Sequence, residues 1–101
     1  MSGVYVVTVE ARQRQFNATA GFPDGAVINV YSTVTSEPEA RAVAAREIAA
    51  AGWQLVSIDS VSWWAAENFG DCAPAGREYL EQAIIDGTVL VVHHFPQEPF
   101  Q

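Results

Sequence analysis

Few side chains in this chain are equipped for chemistry. The two histidines, His93 and His94, are adjacent, and Cys72 is the sole cysteine. Either imidazole could serve as a base near neutral pH. Adjacent strand residues point to opposite faces, so the pair cannot readily chelate one metal. A metal site would need Asp59, Glu67 or Cys72 as further ligands, and their spacing matches no standard zinc pattern. Acidic surroundings disfavour a thiolate, which makes Cys72 a poor nucleophile. Ser57, Ser60 and Ser62 sit in no G-x-S-x-G elbow. Gly21, Gly25, Gly70 and Gly76 belong to no phosphate-cradling loop. The expectation is no catalytic residue, no metal and no cofactor.

Binding chemistry is better represented. Trp63-Trp64, with Phe69 close behind, is the most distinctive feature. Alternation lets one indole fill the core while the other stays near the surface, and an exposed indole beside Glu67 and Asp71 suits a binding edge. Asp59 lies between Ile58 and Ser60 in an apolar stretch. It could pair with His94 across a sheet, or stand exposed on the open face or at a bulge. Glu47 falls inside the apolar arc of a helix. Buried, it would be a site candidate; at the edge of the stripe it snorkels or pairs with an arginine. Arg12 and Arg14 make a small basic patch on the first hairpin.

These residues depend on the elements that carry them. Val4 to Val9 reads as a β-branched strand whose pairing continues through Arg12 and Arg14. Gly21-Phe22-Pro23-Asp24-Gly25 is a turn, and Ala26 to Thr35 a second strand that forms a hairpin with the first. Ser36-Glu37-Pro38-Glu39 opens a helix that runs to about Ala51 and stops at Gly52. Trp53 to Trp64 reads as a third strand, 65–73 as a connection, and Pro74 opens a second helix that ends before Gly87. Thr88 to Phe95 is the last strand, and the continuous apolar run Val89-Leu90-Val91-Val92 suggests a central one, buried on both faces. Residues 96–101 form a short frayed tail. The predicted core is Val6, Ile28, Val30, Val34, Val43, Ile48, Val56, Ile58, Leu80, Ala83, Ile84, Val89 and Val91.

The order β-β-α-β-α-β predicts one α+β domain over 1–101. It is a two-layer sandwich with both helices on one face of a mostly four-stranded mixed sheet. If 65–69 pairs as a short strand, residues 26–95 acquire the ferredoxin-like order β-α-β-β-α-β, a resemblance of architecture alone. One sheet face is then left open, bearing Tyr5, Tyr31 and one of the tryptophans.

Composition bounds the partners. The chain has 101 residues, is 50% hydrophobic, and sets five arginines and no lysine against twelve acids, for a net charge of −7. Such a chain repels phosphate backbones and anionic membranes, which argues against nucleic acid and membrane surfaces. No apolar run is long enough to span a bilayer, and no secretion signal opens the chain, so a cytoplasmic location is expected. The alanine-rich, lysine-free composition hints at a bacterial source. The expected role is a small, acidic, soluble interaction or regulatory module rather than an enzyme. It would bind a basic protein in the manner of an inhibitor or immunity protein, or form a homodimer through the open sheet face. The alternative is a small-molecule or enzymatic site around His94, Asp59, Glu67 and Trp64.

Overall fold

The computed structural model describes residues 3–13, 25–71 and 74–94. In chain order they form β1 (Gly3–Gln13), β2 (Gly25–Ser32), α1 (Glu37–Ala50), β3 (Trp53–Ala65), a 3-10 helix (Ala66–Asp71), α2 (Pro74–Asp86) and β4 (Thr88–His94). The expected turn at 21–25 and the tail lie largely outside the described residues. Among the described residues no helix is long and apolar enough to cross a membrane.

The strands form one sheet in the order β3-β1-β2-β4. The hairpin of the first two strands is present, with Tyr5 opposite Ser32 and Ala11 opposite Ala26. Every neighbouring pair is antiparallel, so the expectation of a mixed sheet is corrected. The reason is connectivity. β2 and β3 flank β1 on either side, and both run against it. The α1 crossover therefore joins two strands of like direction that never become neighbours. Residues 66–71 wind into a 3-10 helix instead of adding a strand, so the ferredoxin-like order does not arise.

Local signals set the helix ends. Ser36 caps α1 by accepting the Glu39 N–H, Pro38 occupies the first turn, and Gly52 follows the C-cap at φ 91°. Gly87 ends α2 the same way, at φ 89°. α1 buries Ala40, Val43, Ala44 and Ile48, mostly small residues that let it lie close on the sheet. Glu47 stays at the edge of that stripe and pairs with Arg46 at 3.7 Å. In α2 only Leu80 and Ala83 of the described side chains are buried; Ile84, expected inside, is exposed.

The largest correction concerns layers. Val7, Val9 and Ala11 of β1 join Ala26, Ile28 and Val30 of β2 under α1, with Trp53 at one end. Val4 and Val6, on the other face of β1, join Tyr31, Phe69, Leu80 and Ala83 under α2 and the 3-10 helix. The helices therefore cover opposite faces, and the fold is helix, sheet, helix instead of two layers. The wholly open face expected to bear Tyr5 and Tyr31 does not exist. The physical cause is the run Val4-Tyr5-Val6-Val7, which is apolar on both faces and needs cover on both. The same signal at Val89–Val92 misleads: β4 is an edge strand, and all four side chains are only partly buried. Val56, also expected in the core, is 48% exposed because it sits at an irregularity of β3.

Two substitutions separate these roles. Ile28→Ala, in an inner strand, is expected to cost about 3 kcal/mol, and Val91→Ala, on the edge, about 1 kcal/mol. Urea midpoints of the two variants check the strand order. Equal losses would put β4 inside the sheet.

Candidate functional site

The residues singled out above do not gather in one place. Asp59 and His94 belong to β3 and β4, the two opposite edges of the sheet. Three inter-strand spacings separate those edges, roughly 14 Å, so the expected Asp59–His94 pair cannot form. Asp59 instead is exposed at a register shift and accepts a hydrogen bond from Ser57 Oγ at 3.1 Å. His94 lies opposite Ala26, at the end of the sheet away from Trp64 and Glu67. A small-molecule site built from His94, Asp59, Glu67 and Trp64 is therefore not assembled. Among the described residues no three His, Cys, Asp or Glu side chains come together to hold a metal ion. Cys72 and Arg14 lie outside the described residues.

The aromatics divide by face. Phe69 and Tyr31 are buried, with the Tyr31 ring 5.7 Å from that of Tyr79, and neither is available to a partner. Trp64 packs half-buried against that cluster. Trp63 points the other way and keeps 42% of its surface exposed. Tyr5 lies opposite Trp63 on β1, and their tilted rings are 6.4 Å apart. The alternation expected of the tryptophan pair is thus present, with Trp64 inward and Trp63 outward.

Tyr5 and Trp63 line a cavity of about 670 Å³ together with Gly3, Thr33, Val34, Thr35 and Ile84. It lies where β1 begins, β2 ends and the chain turns into α1. Gly3 is a structural requirement here, because a Cβ on it would collide with the Trp63 indole. The indole thus lies against bare backbone and is held in place from below. Thr35 Oγ1 donates to Glu39 Oε1 at 2.9 Å, and Ser36 Oγ donates to the same oxygen at 3.1 Å. Those hydroxyls, Thr35 first, hold the Glu39 carboxyl below the usual carboxylate range. Thr33 anchors the opposite wall through its N–H to Gly87 O at 3.1 Å, with its hydroxyl at 3.4 Å from the same oxygen. Sequence reasoning missed Gly3, Thr33, Val34, Thr35 and Ile84. Only Tyr5 and Trp63 carried a signal.

The second feature is the pair of sheet edges. β3 is irregular: its pairing with β1 shifts twice, and Asp59, Ser60 and Ser62 are exposed along it. Bulges and charges of this kind blunt an edge against pairing. β4 has none of them. Thr88 to His94 pairs with β2 without a shift and carries no acid, arginine, lysine or proline. α1 reaches β3, β1 and β2, while α2 reaches β4, β2 and β1. Leu90 and Val92 lie on the α1 face at the β4 edge, packed in part against the core beneath that helix and half-buried.

No family model matches the chain, and no curated protein or solved structure matches it either.

The capping hydrogen bonds predict a pH response. With the folded carboxyl of Glu39 lowered, its contribution to stability is present at neutral pH and disappears as pH falls through the folded value. Glu39→Gln is expected to lower the melting temperature at about pH 7 and to match the parent by about pH 2. Thermal unfolding across that range checks it, and an unchanged gap at acid pH would show that the loss is not one of charge.

Proposed function

We propose that this protein is an interaction module that assembles by sheet extension, with β4 pairing antiparallel to β4 of a second copy. The observation that carries this reading is the contrast between the edges: β3 is bulged and carries Asp59, whereas β4 is regular and has no acid, lysine or arginine. An unguarded, apolar edge strand templates pairing with another chain. A two-fold axis suits an antiparallel pair, because the same patch serves both partners. Such a dimer continues the four strands into eight. It also brings Leu90 and Val92 of each copy beside their counterparts, which covers the part of their apolar surface that is still exposed.

Charge favours a second reading, in which a basic protein docks on the outer side of α2. Glu67, Asp71, Glu78, Glu81 and Asp86 stand against Arg77 over the 3-10 helix and α2, and all six are exposed. The two modes respond oppositely to salt. Screening relieves repulsion between two copies of charge −7, and it weakens attraction to a basic partner.

Sedimentation velocity tests the dimer. The parent is expected to be dimeric at about 10 μM, with affinity that rises between about 0.05 and 0.5 M salt. Val92→Lys, which places a charge on the β4 edge, is expected to give a folded monomer. A parent that stays monomeric at about 100 μM would end this reading.

A further inference from the structure

The cavity beside Trp63 has no role in sheet extension, and its lining has a definite chemistry. We propose that it binds a protonated amine on an apolar stem. Four observations converge on that class.

First, the walls are π faces and aliphatic groups. The Trp63 indole is held against Gly3 with 42% of its surface exposed, the Tyr5 ring is tilted 56° to it, and Val34 and Ile84 complete the apolar lining. Aromatic faces attract cations electrostatically and accept hydrocarbon stems equally well. Second, the Thr35 hydroxyl has spent its proton. A carboxylate oxygen and a carbonyl oxygen can only accept. Thr35 Oγ1 must therefore donate to Glu39, while Thr33 Oγ1 sits 3.4 Å from Gly87 O, at the long limit of a hydrogen bond. The Thr35 hydroxyl has one proton, so what Thr35 keeps for a ligand is lone pairs, which call for a ligand that donates N–H or O–H. Third, the Glu39 carboxylate stands one hydrogen bond behind Thr35, with no lysine, arginine or histidine in the lining. Its negative charge favours a cation and opposes an anion. Fourth, the volume of about 670 Å³ lies within the range of small-ligand sites.

A neutral aromatic would use the walls and waste the acceptors. An anion would meet the carboxylate. A quaternary ammonium would satisfy the π faces but offer no N–H to Thr33 and Thr35. A primary ammonium on an aryl or alkyl stem uses every part of the lining. Such a group is found both on free small amines and on lysine side chains of peptides.

Calorimetry with phenethylamine near neutral pH tests the class, and Nα-acetyl-lysine amide tests the source. Phenethylamine is expected to bind saturably and to shift the Trp63 indole N–H resonance. Its neutral isostere 2-phenylethanol and its N-trimethyl derivative, which lacks N–H, are each expected to bind about 10-fold more weakly. Trp63→Ala and Thr35→Val should each abolish measurable binding. Glu39→Gln, which keeps an oxygen acceptor near Thr35 but removes the charge, should weaken it about 5-fold. Binding of the lysine amide as tightly as phenethylamine would support the proposal with a peptide side chain as the source. Binding of phenethylamine alone would support it with a small amine. Equal affinity for 2-phenylethanol would overturn it, as would absence of binding by both amines, or binding unchanged in a folded Trp63→Ala variant. None of these outcomes depends on the oligomeric state, so the β4 dimer and the amine site stand or fall separately.

Discussion

Burial of β1 on both of its faces is the constraint on which this structure depends. Val7 and Val9 look toward α1, and Val4 toward α2 and Phe69, and each is fully buried. A strand this apolar on both sides cannot be an edge and cannot face water, so it draws a neighbour to each side and a helix to each face. The chain supplies them in turn. β2 returns beside it as a hairpin, α1 covers one face and delivers β3 to the far side, and α2 covers the other face on the way back to β4. Two small cores result, separated by the sheet, in place of one shared core.

The two faces are not covered evenly. α1 lies toward β3 and α2 toward β4. On the α2 face the bare quadrant is polar: Thr8 hydrogen-bonds Asn29 there at 2.8 Å, and Ser60 is exposed. That quadrant is suited to water. On the α1 face Leu90 and Val92 lie half-buried at the β4 edge. The cavity has a similar origin. It forms at the end of the sheet where β1 starts at Gly3 and the chain leaves β2 for α1, so strand end, connection and helix end meet without filling the space.

Much of this organisation was legible in the residues. The capping set at Ser36 to Glu39, the stops at Gly52 and Gly87, Pro74 at the start of α2 and the alternation of Trp63 and Trp64 all act within a few residues, and each has a local mechanism. The choice between Val4–Val9 and Val89–Val92 as the central strand was not legible. Both runs are continuously apolar, and such a run reports burial without saying which strands lie beside it. Phe69 and Tyr31 looked like ligand-facing aromatics because exposure of a ring depends on what is packed over it, here Leu80, Ala83 and Tyr79. Asp59 and His94 could be imagined as a pair only while the strand order was free.

Residue type and spacing alone set where the helices start and stop, which strand side chains share a face, and the acidity that any partner must meet, because these follow from bonds and periodicities a few residues long. Folding in three dimensions decided that the helices part to opposite faces, that β4 is an edge strand among the described residues, and that Gly3, Thr33, Thr35 and Trp63 surround one cavity. Those outcomes come from packing between segments tens of residues apart, where the winning arrangement is the one that buries both faces of β1 at once, and no local pattern carries that competition.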